Sequence, residues 1–298
     1  MNIFFYIPKE FLPTTNILEE WNHEKKSPPI RETGLVSPTH NWICQTWALL
    51  TTAGVPCHLT TQLPSRGTIF SLSSFLHPSC KPPENVFLID IVADGKPHPA
   101  AHLHLVQNRR QAERLSHALF MPHWPQPHLI PRDPNRGDAF ETLSFFGHDQ
   151  NLATELQSAQ WRYDLQHDLG MRLHLPSVHE WHNYVDTDVV IAIRDFSKSR
   201  HFHKPATKLY NAWHAGVPFI GGRDSAYAAD GHPYIDYLVA TSPKQVMKHL
   251  QRLKEDLSFR SSFVKHGLQS RNLFTHQAIL AYWKQLIEET LPALLFNK

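Results

Sequence analysis

Cysteine is scarce: three in 298 residues, Cys44, Cys57 and Cys80, an odd number at wide spacing. That argues against a disulfide framework and for a reducing compartment. No run of the chain approaches the roughly 18 consecutive apolar residues of a membrane span. The opening Met-Asn-Ile-Phe-Phe-Tyr-Ile-Pro is apolar but short and has no basic lead, so it does not read as a secretory signal, and the expected location is the cytoplasm. An excess of one charge is also missing. Lys and Arg number 29 against 27 Asp and Glu, split as 12 against 11 up to Asp138 and 17 against 16 beyond it. A nucleic-acid grip concentrates positive charge on one face or tail, so no nucleic-acid partner is expected.

What is present is an ordinary globular balance, 41% hydrophobic and 19% charged. The length suits one large domain or two of about 140 residues. Histidine is abundant, 22 in all. His179-Glu180-Trp181-His182 falls one residue short of H-E-x-x-H, whose i,i+4 spacing puts both rings on one helix face. The pairs His102/His104 and His201/His203 have no Cys or carboxylate cluster beside them, so no metal site is expected.

Along the chain, residues 2–7, 57–63, 68–72, 86–92 and 102–106 read as strands, several of them nearly continuous in apolar residues as doubly covered strands are. A long loop rich in proline follows the first, and 41–53 reads as a helix ended by Gly54. Between Met121 and Pro134 stand Pro122, Pro125, Pro127, Pro131 and Pro134, a semi-rigid connector that forms neither helix nor central strand. Beyond it strand and helix alternate. Strands are expected at 140–146, 171–175, 188–193, 217–220 and 237–240. Helices are expected at 151–168 (Leu152, Leu156, Ala159 and Tyr163 on one face), at 205–215 with Pro205 first and Gly216 just past the end, and from Ser242-Pro243 onward, where Val246, Leu250, Leu253 and Leu257 form the apolar stripe. A last amphipathic helix carries Ile279, Trp283, Leu286 and Ile287. Such alternation requires right-handed crossovers and parallel sheets. The expected fold is α/β with two Rossmann-like domains, 1–135 and 136–298, the last helix packing back on the first.

Open parallel sheets bind ligands at the carboxyl ends of their strands. Residues there are Gly147, Arg194, Gly222 and, in the first domain, Asp94. The stretch from Arg194 to Gly222 is the richest, because a basic loop runs into a helix N-terminus whose free amides favour an anion. Lys204, Thr207 and Lys208 lie around its first turn. Charge alone leaves open whether these are phosphate ligands or solvated side chains.

The segment Lys208-Leu209-Tyr210-Asn211-Ala212-Trp213-His214-Ala215-Gly216-Val217-Pro218 resembles the donor-site helix and following strand of GT-B-fold glycosyltransferases. The resemblance is best over 140–286. It implies an N-terminal acceptor domain and a C-terminal donor domain facing a cleft, and transfer of a hexose from a nucleotide diphosphate-sugar to a glycan, lipid-linked or small-molecule acceptor. Peripheral membrane contact is compatible with it. Retaining members of the group 1 pattern carry E-x7-E, but the matching positions here are His203 and Asn211. That departure is more similar to fucosyltransferase and exostosin-like helices, and implies an inverting, metal-independent enzyme using a GDP- or UDP-sugar without further cofactor. Arg194, Lys204, Thr207, Lys208 and Asn211 then hold the donor with Gly147 and Gly222. Asp94, or else His40, is the expected base for the acceptor hydroxyl. A sugar-nucleotide epimerase and a non-catalytic sugar-nucleotide or glycan binder share these features and remain as alternatives.

Overall fold

The computed structural model describes residues 2–14, 17–20 and 40–296. The chain divides into two compact units, one formed by the chain up to Trp124 together with the chain from His276 on, the other by Pro125–Thr275. Each contains one sheet whose neighbouring strands all run parallel.

In the first unit β1 (Ile3–Tyr6), β2 (His58–Thr60), β3 (Gly67–Leu72), β4 (Val86–Ile91), β5 (Leu103–Val106) and β6 (Ala118–Phe120) lie in the order β2-β1-β3-β4-β5-β6. All six residues of β4 are buried, which is why Val-Phe-Leu-Ile-Asp-Ile shows no polar alternation. Its one carboxylate, Asp90, takes the His98 amide at 2.6 Å and His104 Nδ1 at 2.5 Å, so it enters the sheet with its acceptors used. Phe5 and Phe70 stack at 4.9 Å, and Trp283 of the helix His276–Gln285 meets them at 6.0 and 5.6 Å. Trp42, from a π-helical turn at His40–Gln45, closes edge-on to Trp283 at 6.5 Å.

In the second unit β7 (Thr142–Ser144), β8 (Arg172–His174), β9 (Val189–Ala192), β10 (Phe219–Gly221) and β11 (Leu238–Val239) are ordered β11-β10-β9-β7-β8. The helix Thr207–Ala215 returns from β9 to β10 and ends, as the sequence indicates, on Gly216 in the left-handed region at φ 71°. The helix Pro243–Glu255 is capped by Ser242, whose hydroxyl accepts the Gln245 amide, and buries Val246, Leu250 and Leu253. Asp188, at the entrance to β9, knots the unit together. It accepts Arg132 Nε (3.0 Å), Arg136 Nε and Nη2 (3.1 and 2.8 Å), and the amides of Glu141 and Thr142 (both 2.9 Å).

Four expectations need correction. The first unit ends at Trp124, not at 135. The segment after it belongs to the second unit because the Gln126 amide bonds Asn211, Ile130 bridges Asn183, and Arg132 and Arg136 hold Asp188. The second unit ends at Thr275, not at 298: the last helix goes with the first unit, the side on which the sequence places it, and Ile279, Trp283, Leu286 and Ile287 fill that core. The helix expected over 151–168 is two, Thr154–Gln157 and Ala159–Leu169, separated at Ser158, whose hydroxyl caps the second. The register therefore restarts, burying Trp161 and Leu165 and leaving Tyr163 61% exposed. Leu257 is likewise outside the buried stripe, because it begins a new helix, Leu257–Ser270.

Candidate functional site

The carboxyl ends of β7, β9 and β10 and the first turn of the 207–215 helix bring one group of side chains together. Gly147 follows β7, and a Cβ built on it would come 3.1 Å from Lys208 Cε, so the lysine stem runs directly over that glycine. Lys208 Nζ stands 5.5 Å from the Phe145 ring centre. After β9, Arg194 donates through Nε to Asp224 Oδ1 at 3.1 Å, while its two Nη groups make no hydrogen bond among the described residues. Asp224 follows β10 across Gly222, where a Cβ would lie 3.4 Å from the carboxylate. Burial pushes the Asp224 carboxyl up, and the charges of Arg194, His201 and Lys208 pull against it. Arg194 and Lys208, with the His201 ring, therefore surround one buried carboxylate, with an open set of arginine donors beside it.

Other expected residues take different places. Thr207 begins the helix with its hydroxyl buried and unpartnered among the described residues. The Lys204 amide closes a turn on the His201 carbonyl at 2.9 Å. Asn211 is 5% exposed, and its Oδ1 accepts the Gln126 amide at 2.9 Å, so that oxygen serves the connector. Neither Asp224 nor His201 was singled out from the sequence as part of this group. The signal for Asp224 was its position three residues past a strand end. His201 sits at φ 44°, a conformation that costs a residue with a Cβ roughly 1 kcal/mol or more and is a mark of a constrained site.

In the first unit the ends of β4, β5 and β6 carry a second group. Asp94 Oδ1 accepts Gln107 Nε2 at 2.8 Å, and Ala93 before it is held at φ 46°. His123, two residues past Met121, gives its Nδ1 proton to the Trp124 carbonyl at 2.7 Å, which leaves Nε2 as the ring's lone-pair nitrogen. The Trp42 ring meets it edge-on at 5.1 Å. Burial lowers the His123 pKa, opposed by its bond to the Trp124 carbonyl and by the charge of Asp94, so the ring is neutral at pH 7. Its place inside a proline run hid it from the sequence reading. His40, by contrast, bonds the Phe11 carbonyl at 3.1 Å and anchors the start of the π-helical turn.

Among the described residues no three His, Cys, Asp or Glu side chains are grouped to hold a metal ion, and no helix is long and apolar enough to cross a membrane. Of the histidine pairs, His104 is engaged by Asp90 and His102 Nδ1 accepts the Leu88 amide at 3.0 Å, which gives both rings structural work in the sheet.

No protein-family model matches the chain, and no curated protein matches it in sequence. Solved structures match its fold. HepE of Anabaena, crystallised with UDP and glucose, superposes with a TM-score of 0.55 at 10% identity, covering 98% of this chain and 99% of that one. AviGT4, a glycosyltransferase involved in avilamycin A biosynthesis, gives 0.55 at 12% identity over 98% and 99%. Sucrose-phosphate synthase of Thermosynechococcus elongatus gives 0.55 at 12% over 84% and 78%. The two parallel-sheet units of this chain thus have the GT-B fold of those glycosyltransferases.

Proposed function

We propose that the chain is a hexosyltransferase that takes a nucleotide diphosphate-sugar, UDP-linked in the first instance, at the carboxyl edge of its second sheet. The observation that carries the reading is the convergence of Arg194, with its unused Nη donors, and Lys208, over Gly147, on the buried Asp224 beside one helix N-terminus. Breaking the bond between sugar and diphosphate puts negative charge on the leaving phosphate oxygen. Fixed cations and helix amides stabilise it without reorganising as the reaction proceeds. Asp224 orients Arg194 and offsets the charges of Arg194 and Lys208 while no donor is bound.

The acceptor hydroxyl must lose a proton as its oxygen attacks. His123, neutral and with Nε2 unprotonated, is the base this reading favours, with Asp94 stabilising the imidazolium that forms. Direct attack inverts the anomeric centre, and the missing carboxylates at Asn211 and His203 support that course. Side-chain cations take the part a divalent ion plays elsewhere, so the reaction is metal-independent. That the neighbouring HepE was crystallised with UDP and with UDP-glucose supports UDP over GDP.

A thermal-shift panel of UDP, GDP, CDP and dTDP tests the donor. At a ligand concentration 100 times Kd the expected stabilisation is about 2.7 kcal/mol. Absence of a shift with all four nucleotides refutes the reading.

A further inference from the structure

The second sheet has another edge. At the amino ends of its strands, Phe140 ahead of β7, Asp188 ahead of β9 and Pro218 ahead of β10 line a cavity of about 530 Å³, which the 257–270 helix borders with Arg260, Val264 and Leu268. From Asp188 to Arg194 the chain runs six residues, about 20 Å in extended form, so this cavity and the donor cluster lie at opposite ends of the same strands. The volume falls within the roughly 300–1,000 Å³ of small-molecule sites.

Its polar equipment is unevenly matched. Arg132 is engaged through Nε and Nη2, by Asp188 and by the carbonyls of Gly137 and Ala139. Arg260 is not. Its side chain is 11% exposed and lies over the Phe140 ring at 4.9 Å, yet Nη1 has no hydrogen-bond partner among the described residues. Nη2 holds only the Asp138 carbonyl at 3.2 Å and, at 3.4 Å, a carboxylate that is 80% exposed. Burial lowers the Arg260 pKa; Asp138 opposes this and the nearby Arg132 reinforces it, as befits a cation short of counter-charge. A shielded donor without a partner is costly, and a long contact to an exposed carboxylate is cheaply exchanged. Lys265 adds a further cation to the lining.

We propose that this cavity is a second ligand site, taking a small molecule that joins an oxyanion, carboxylate or phosphate ester, to a flat apolar body. The oxyanion replaces Asp138 on Arg260, turning the guanidinium so that both Nη groups donate, and the body lies against Phe140, Val264 and Leu268. Nothing in this depends on the donor assignment.

The probes are benzoate and phenyl phosphate, with benzyl alcohol as the uncharged control, titrated by calorimetry into the whole protein. Saturable binding of either anion, with none of the alcohol, is the expected result, and which anion binds separates the carboxylate from the phosphate source. Arg260→Gln and the cavity-filling Leu268→Trp should each weaken it at least about tenfold, one charge-assisted contact at ~1.4 kcal/mol per decade. Lys208→Ala, at the other edge, should leave it unchanged. Crystals soaked with 4-iodobenzoate supply a measurement free of variants, the anomalous iodine peak falling between Phe140 and Leu268. The proposal is overturned if neither anion saturates, if both cavity variants bind as well as the parent protein, if Lys208→Ala abolishes binding, or if the iodine appears only elsewhere.

Discussion

Gly147 and Lys208 allow the donor reading to be tested as a pair. A methyl group on residue 147 would sit 3.1 Å from Lys208 Cε and 3.0 Å from Phe145 Cζ, whereas carbon atoms are comfortable at about 3.5–4.0 Å. The lysine, the flexible partner, gives way most readily, while the contact with Phe145 in the packed core remains, and the overpacking costs about 1–3 kcal/mol. Lys208→Ala removes the ammonium outright. If that ammonium contacts a diphosphate, its loss is worth about 1.5–3 kcal/mol, or roughly 10- to 150-fold in the Kd for UDP. Gly147→Ala should weaken UDP binding in the same direction by displacing the same charge. The double variant then decides the matter. Once Lys208 is gone the new methyl has no ammonium to displace, so the double variant should bind UDP like Lys208→Ala alone and the two effects should fail to add by at least about 1 kcal/mol. Calorimetric titration of the four proteins measures this. Additive effects, or a Lys208→Ala affinity within about twofold of the parent, would refute both the contact and the phosphate role of this helix.

Further expectations follow from the same geometry. Asp188→Asn strips a buried carboxylate from Arg132 and Arg136 and should cost about 3–5 kcal/mol in a urea titration. Burial would raise the Asp188 pKa, but bonds from Arg136, the Glu141 and Thr142 amides and Arg132 outweigh it and hold the group below its ordinary value. The stability it confers is therefore complete above about pH 3.9 and lost as the pH falls through the lower folded value. The Asn variant should show a shallower acid limb, and an unchanged limb would contradict the assignment. If His123 is the base, kcat/KM should fall on the acid side with an inflection below about 6.5, the ordinary histidine value, and His123→Gln should abolish that limb along with most of the activity. Transfer should survive EDTA; a complete loss restored by Mn²⁺ would mean that the cations of the donor cluster are insufficient. Trp283→Ala opens a hole beside Phe5 and Phe70 and should destabilise the first unit by about 3–5 kcal/mol, read by near-ultraviolet circular dichroism.

The sheets were legible where burial is two-sided. The runs in β4 and β9 have no polar alternation because both faces are covered, and a continuous apolar stretch between turn residues says so directly. β6 was not read: its three residues are all half-buried at the edge of the sheet, and an edge leaves little imprint on a sequence. Ser158 fits the middle of a helix as well as a cap until the side-chain bond to the Trp161 amide is seen. The donor cluster was half legible. Local order gave Arg194, Lys208 and Gly147, since the strand-end rule acts on neighbours in sequence. It could not give the bond from Gln126 to Asn211, which spans 85 residues, nor the meeting of Asp94 with His123 across two strand ends. Those depend on the fold having formed.

The division of the chain also sets an order of assembly. The second unit is one uninterrupted stretch, whereas the first is made from the two flanks, its core closed by Ile279, Trp283, Leu286, Ile287 and Leu291. Domains in a growing chain usually fold in the order of their synthesis. Here the β1–β6 sheet is translated first and must wait, with Phe5, Phe70 and Trp42 lacking their lid, until some 150 further residues have been made. In the cell that interval is an invitation to chaperones, and a chain broken off just past Thr275 would carry a complete second unit attached to an unfinished first one.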